Sequence, residues 1–195
     1  MHKTISRKES QEGNQMGFCY WLTGLPAAGK TTIAVRTAED LRERGYKVCV
    51  LDGDELRHAM NSDLGFSRGD RAENVRRIGE VARLMTDDGF IVFVSAISPY
   101  RTERDAALLS IGRSRCADVF IDTDLRTCMA RDPKGLYALA KAGKISGLTG
   151  CDDPYEPPLQ PDFAIQTETV SVDEAMFYLE AHYFSKSGHT WDFAA

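Results

Sequence analysis

The sequence lacks the features that would tie it to a membrane, to an oxidising compartment or to nucleic acid. Its longest apolar stretch, Phe90-Ile-Val-Phe-Val-Ser-Ala-Ile97, is far short of a bilayer span. The opening Met1–Ser10 carries charge but no apolar h-region, so a secretory signal is not expected there. The five cysteines (Cys19, Cys49, Cys116, Cys128, Cys151) are odd in number, widely spaced and never arranged as C-x-x-C. That pattern suggests neither a disulfide framework nor a zinc site, and it reads as free thiols in a reducing cytoplasm. A net charge of −5 argues against a general nucleic-acid binder while leaving room for a locally positive phosphate cleft. No internal repeat or low-complexity tract is present.

What is there is a chain of 195 residues, 43% hydrophobic and 27% charged, long enough to bury one full core without staples. Short β-rich apolar runs alternate with helical patterns, the signature of an α/β fold with a parallel sheet. Strands are expected at Phe18–Leu22, Lys47–Leu51, Phe90–Ser95, Val119–Ile121 and Phe163–Ile165. Helices are expected at Lys30–Arg44 with Gly45 past its end, at about Arg71–Asp88 with Gly89 as the stop, from about Arg101, near Asp124–Arg131, and after the capping box Ser171-Val-Asp-Glu174. The long helix is expected to bury Val75, Ile78, Val81, Ala82 and Met85. The domain is expected over residues 16–185, with polar tails at 1–15 and 186–195. Residues 132–161 are rich in Gly, Pro and Asp, and a segment of about 134–160 is a lid candidate, because so long an irregular stretch inside a compact domain is usually functional.

The first strand runs into Gly24-Leu25-Pro26-Ala27-Ala28-Gly29-Lys30-Thr31, which matches G-x-x-x-x-G-K-[ST] in the strand-to-helix context that gives the motif its meaning. Backbone N–H groups of such a loop wrap phosphate oxygens, and the helix N-terminus adds its partial positive charge. Lys30 would reach the β- and γ-phosphates of ATP, Thr32 in the same turn would join the ATP-binding set, and the Thr31 hydroxyl would ligate Mg²⁺. Pro26 has no N–H to offer. Asp52-Gly-Asp54 follows the second strand, at the rim where a carboxylate lies beside the loop. Two acids there suit metal handling, for which Thr31 and Asp52 are the candidates, and proton abstraction, for which Asp54 is. Asp54 could alternatively cap the helix that contains Glu55, Leu56 and Arg57. The guanine-reading N-K-x-D motif is absent, which weakens a GTPase-switch reading.

Five further stretches point to one kind of phosphotransferase: Asp52-Gly-Asp-Glu-Leu-Arg57, Phe66-Ser-Arg-Gly-Asp-Arg71-Ala-Glu-Asn74, Ile97-Ser-Pro-Tyr100, Arg131-Asp-Pro-Lys134-Gly-Leu-Tyr137 and Gly147-Leu-Thr-Gly150. Together, and in this order from about Gly17 to Ala181, they resemble the adenylylsulfate kinase family. The resemblance implies a three-layer P-loop fold with a mainly parallel five-stranded sheet and a lid. It also implies MgATP as phosphoryl donor, adenosine 5′-phosphosulfate as acceptor, and dimers. It further implies an acceptor site of Asp54, Arg57, Phe66, Arg71, Asn74, Ile97, Ser98, Lys134, Gly147 and Leu148, with Arg131 beside the ATP adenine. In the family Ser98 is traditionally assigned as a phosphoserine intermediate.

Residue chemistry supports several of these assignments. Arg57 and Arg71 offer planar forks for phosphosulfate oxygens, and Phe66 offers a face for adenine, although core packing is its ordinary alternative. Pro99 biases Ser98 to an extended conformation that aims its hydroxyl into the crevice. Arg76 and Arg77 read as solvated or paired helix charges, and His58, His182 and His189 have no constellation around them. Three positions depart from the family pattern. Pro26 and Ala27 stand where Ser and Gly are usual, and Leu148 stands where an aromatic is usual, an expected loss of about 1 kcal/mol of stacking. The competing readings are a P-loop kinase of another small metabolite and a nucleotide-gated module without turnover.

Overall fold

Strand β1 (Phe18–Thr23) is buried along its whole length, and its side chains divide by parity: Phe18, Tyr20 and Leu22 enter one core, Cys19 and Trp21 the other. A two-residue period on a strand covered on both faces produces this division. The same alternation in β3 (Ile91–Ser95) sends Ile91 and Phe93 to the first core and Val92 and Val94 to the second. The computed structural model describes residues 15–188. With β2 (Val48–Asp52), β4 (Cys116–Ile121) and β5 (Phe163–Ile165), the strands form one sheet in the order β2-β3-β1-β4-β5, every pairing parallel.

Helices α1 (Lys30–Glu43) and α7 (Val172–Ser187) cover the first core, through Ile33, Ala34, Ala38 and Leu41 and through Ala175, Leu179, Tyr183 and Phe184. Helices α3 (Arg68–Asp87) and α4 (Arg101–Ile111) cover the second, through Val75, Ile78 and Ala82 and through Ala107, Leu108 and Ile111. Val81 and Met85, expected to be buried, are only partly so and pack against the edge of that core. Short helices α2 (Gly53–His58), α5 (Leu125–Arg131) and α6 (Leu136–Lys141) follow β2 and β4.

Helix α3 begins three residues earlier than its apolar spacing predicts, because Ser67 caps it and Asp70 completes a capping box with the Ser67 backbone. Gln15 is bonded rather than free: its side-chain amide donates to the carbonyls of Lys47 and Gly89 and accepts from the Lys47 N–H, joining the starts of β2 and β3. At the other end α7 continues to Ser187. The remaining tail expectations, at 1–14 and 189–195, lie outside the described residues.

The loop after β1 leads to α1 on one face of the sheet and the loop after β3 leads to α4 on the other. Neighbouring strands whose connections diverge in this way open a crevice at their carboxyl ends. The sequence motifs gather at that crevice.

Between α1 and α7 the carboxyl of Glu180 is buried beside the partly exposed Asp40. Glu180 is 3% exposed, its Oε2 lies 3.2 Å from Arg44 Nη2, and its Oε1 has no hydrogen-bond donor. Burial raises the Glu180 carboxyl to about 7, Arg44 opposes that rise, and Asp40 adds to it. The folded state therefore binds the extra proton between about 4.5 and 7, so stability falls as pH rises through that window. Glu180→Gln should narrow the difference in unfolding free energy between pH 5.5 and pH 8 by about 1 kcal/mol or more, measured by urea denaturation. An unchanged difference would rule this carboxyl out as its source.

Candidate active site

A loop that turns its N–H groups toward an anion must place its carbonyls elsewhere, and loop 24–31 does so with named partners. The Tyr137 hydroxyl donates to Pro26 O at 3.0 Å, while Ala28 O accepts from Thr123 Oγ1, Thr167 Oγ1 and Arg131 Nη1. The N–H groups of the first turn of α1 have no intrahelical acceptor. Gly24 is required because a Cβ there would stand 2.6 Å from Ile121 O, and Gly29 has φ +113°. Ala27 also takes a left-handed φ of 61° despite its Cβ. Lys30 is 8% exposed, and its ammonium donates to Gly24 O at 2.9 Å and Leu25 O at 2.7 Å. Burial pulls Lys30 down to about 8 against the opposing charges of Asp54 and Asp52.

One cavity of about 670 Å³ opens beside the loop. It is lined by Pro26, Ala27, Gly29, Lys30, Thr31 and Thr32 from the phosphate loop and by Arg131. From the expected acceptor set it takes Asp54, Arg57, Arg71, Asn74, Ile97, Ser98 and Lys134. Residues separated by most of the chain thus meet on one wall. Gly24, Leu25 and Ala28 serve the loop from behind, Ala28 in the first core and Leu25 packed against it.

The two acids divide their work. Asp52, not Asp54, caps α2, its Oδ1 accepting from Asp54 N at 2.9 Å and Glu55 N at 3.3 Å. Asp52 Oδ2 accepts from Thr31 Oγ1 at 2.8 Å, and Ser95 Oγ lies 2.9 Å from the same hydroxyl. These are hard oxygen donors beside a phosphate loop, a set that fits Mg²⁺, which keeps most of its shell as water and substrate oxygens. Among the described residues no cluster of three or more His, Cys, Asp or Glu side chains could hold a metal by itself. Asp54 is freed from capping, and its carboxylate is paired with Lys134 Nζ at 2.5 Å.

On the acceptor side, Phe66 is 66% exposed, which excludes core packing, and the Arg57 and Arg71 guanidinium carbons lie 4.8 and 5.7 Å from its ring centre. Arg71 also donates to Phe66 O and to Gly147 O, and its Nε is 3.2 Å from Asp153. Asn74 Oδ1 accepts from Asn61. Phe66, Gly147 and Leu148 are not on the cavity wall. Gly147 acts through the carbonyl that Arg71 holds, and Leu148 is 8% exposed within the first core. Gly150 lies so close to Leu25 that a Cβ would stand 2.6 Å from it. The segment 148–150 therefore supports the back of the phosphate loop, and the stacking loss expected at Leu148 has no counterpart in this geometry. Arg76 and Arg77 pair with Glu73, and Arg77 also with Asp63, as helix charges should.

Ser98 is 3% exposed and has φ 45°, not the extended backbone that Pro99 favours. Trp21 Nε1 donates to its hydroxyl at 3.1 Å and Arg104 donates to its carbonyl, and such fixed partners are what hold a backbone in a sparsely populated region. The sequence reading missed the cavity wall beyond Arg131: Pro133, Leu136, Thr167, Val170 and Val172. The usable signal was position, since residues 167–172 follow the carboxyl end of β5.

The family model described as Adenylylsulphate kinase matches residues 16–166. The chain belongs to the adenylylsulphate kinase family. Adenylyl-sulfate kinase 3 of Arabidopsis thaliana is 48% identical over 174 residues, which cover 86% of this chain and 84% of that one. Adenylyl-sulfate kinase of Marinobacter nauticus is 44% identical over 181 residues, covering 93% and 91%. The chain spans 53% to 56% of the length of three chloroplastic adenylyl-sulfate kinases from Arabidopsis thaliana and Catharanthus roseus. The structure of the Mycobacterium tuberculosis APS kinase CysC in complex with AMPPNP and APS superposes with a TM-score of 0.82 at 44% identity, covering 86% of this chain and 97% of that one.

For an adenylylsulphate kinase, the depressed Lys30 has a measurable consequence. Phosphate binding holds the Lys30 proton, so affinity for MgATP should be flat below pH 8 and weaken by up to tenfold per unit above it. Titration calorimetry from pH 6.5 to 9.5 checks this. Lys30→Arg, which keeps its proton, should show a flat profile.

Proposed function

We propose that this chain transfers the γ-phosphate of ATP to the 3′-hydroxyl of adenosine 5′-phosphosulfate, giving 3′-phosphoadenosine 5′-phosphosulfate and ADP. The observation that carries this reading is that the phosphate loop and seven of the ten acceptor residues, Asp54, Arg57, Arg71, Asn74, Ile97, Ser98 and Lys134, line one cavity. Phosphoryl transfer asks little covalent work of a protein; it needs in-line placement of two oxygens and cancellation of charge around the transferred group. In this reading the apolar wall of Pro133, Leu136, Val170 and Val172, with Arg131, takes the ATP adenine. The loop amides and Lys30 take its phosphates. Thr31 and Asp52 would hold Mg²⁺, which would supply neutralisation of negative charge on the phosphate oxygens.

The acceptor lies on the other side of the loop. Arg57 and Arg71 grip the phosphosulfate, the exposed face of Phe66 receives the acceptor adenine, and Asn74 supplies a polar contact. Asp54, bearing the Lys134 ammonium, is placed to orient the 3′-hydroxyl and accept its proton. Ser98 contributes to the wall without acting as nucleophile. Its hydroxyl accepts from Trp21 Nε1 and lies 3.5 Å from Ala96 O, and neither partner is a base that could take its proton. Transfer is then a single in-line displacement.

Self-association belongs to the same reading; a relative from Thiobacillus denitrificans is described as a hexameric APS kinase. A cytoplasmic setting is consistent with free thiols, and no helix among the described residues is long and apolar enough to cross a membrane.

A coupled ADP-release assay comparing adenosine 5′-phosphosulfate with sugar and nucleoside acceptors tests the proposal. Turnover should require the phosphosulfate, and faster turnover of any other acceptor would sink it. Asp54→Asn should lower kcat by about 10²-fold or more, as for loss of a general base. Ser98→Ala should keep measurable turnover, and a chirally labelled γ-phosphorus should invert. Retention at phosphorus would establish a covalent intermediate instead.

A further inference from the structure

Arg104 is one of the largest fully buried side chains, 1% exposed, and it belongs to neither substrate set. It rises from the first turn of α4 behind the cavity wall. One Nη donates to Ser98 O and the other to Glu156 O at 2.6 Å, and the guanidinium carbon lies 5.6 Å from the Tyr155 ring centre. Tyr155 stacks on Phe120, and its hydroxyl is 2.9 Å from Thr23 Oγ1, which donates to Ile97 O at 2.7 Å. Glu156 N donates to Pro99 O at 2.8 Å, and the Glu156 carboxylate accepts from Arg101 N at 3.0 Å. One planar cation thus joins two stretches remote in sequence, 97–99 and 155–156.

What it joins is the acceptor side of the cavity. Ser98 has a left-handed φ of 45°, a conformation that persists only where its surroundings over-determine it. Arg104 fixes the carbonyl of that residue while Trp21 fixes its hydroxyl. The other carbonyl anchors the end of the segment that carries Gly147 against Arg71 and Asp153 against the same guanidinium. Asp118 of β4, 5% exposed with an unpartnered Oδ1, is a second buried charge on the same side of the sheet edge, not ion-paired with Arg104. Arg104 is the foremost charge offsetting the effect of burial on that carboxyl.

We propose that Arg104 is a positioning residue for the acceptor: it sets the Ile97–Ser98 edge of the pocket against the 147–156 segment that orients Arg71. The acceptor's identity rests on the function proposed above. Lysine cannot substitute, since an ammonium lacks the rigid fork that spans two carbonyls.

Steady-state kinetics of Arg104→Lys test this. The variant should raise the KM for adenosine 5′-phosphosulfate and lower kcat, about tenfold or more in kcat/KM, while the KM for ATP stays within about twofold. The Arg104→Met/Asp118→Asn double variant, which removes both buried charges together, should show the same split if Arg104→Lys folds poorly. A second readout needs no acceptor: in the ¹H–¹⁵N spectrum of the full chain, the Trp21 indole N–H should shift and exchange faster in either variant, because Ser98 Oγ is no longer held against it. Wild-type protein inactive on adenosine 5′-phosphosulfate would overturn the proposed function and leave the Trp21 measurement to decide the role of Arg104. An unmoved Trp21 signal, or equal changes in both KM values, would overturn the positioning role.

Discussion

Every phosphate-binding loop faces the problem of its own carbonyl oxygens, and this structure is organised around their disposal. The partners that draw them outward come from four separate places: Tyr137 in α6, Thr123 after β4, Arg131 at the end of α5 and Thr167 after β5. Helix and strand ends distant in sequence must converge on one loop before its amides can face the cavity. The loop's conformation is therefore a property of the whole sheet edge. The same logic explains Lys30, whose ammonium is held by Gly24 O and Leu25 O inside a site that disfavours its charge. A cation destabilised by burial gains more from a phosphate than a solvated one does.

The acceptor side is built by a different device. Arg71 reaches Phe66 O, Gly147 O and Asp153, and Arg104 reaches Ser98 O and Glu156 O. Each guanidinium ties an irregular segment to a helix, which a point charge on a flexible stem could not do with the same geometry. The stretch expected to be a lid is consequently not of one kind. Residues 147–156 are bound to α3 and α4 by these arginines, and Leu148 enters the core. Lys134, by contrast, is 61% exposed along its side chain and meets Asp54 across the cavity mouth.

Sequence reasoning found what depends on short-range pattern and missed what depends on convergence. The five strands, the phosphate loop, Gly45 and Gly89 as helix stops, and Ser171-x-x-Glu174 as a helix start were all legible because each is decided within a few residues. The start of α3 was missed because Asp70 fills the capping-box position where Glu or Gln is the usual signal. Asp52 and Asp54 could not be told apart by spacing, since both follow β2, and only the hydrogen bonds separate cap from candidate base. Ser98 reversed the expectation drawn from Pro99 because tertiary bonds from Trp21 and Arg104 outweigh a local preference. The apolar wall of Val170 and Val172 carries no motif at all; it is visible only once β5 is known to end beside β4.

Pro26 and Ala27 have a consequence for how the loop meets its ligand. Proline fixes one backbone torsion and alanine narrows another, so the unfolded chain explores fewer conformations here than a Ser-Gly pair would. Ala27 sits at φ 61°, at some strain, and the Tyr137 hydroxyl locks the carbonyl just before it. Most of the disorder that a glycine-rich loop surrenders when phosphate arrives is already gone before the encounter. Nucleotide capture by this chain should therefore carry a smaller entropic penalty and less loop rearrangement than a Ser-Gly pair would impose at these positions, a trait set by two residues that line the cavity itself.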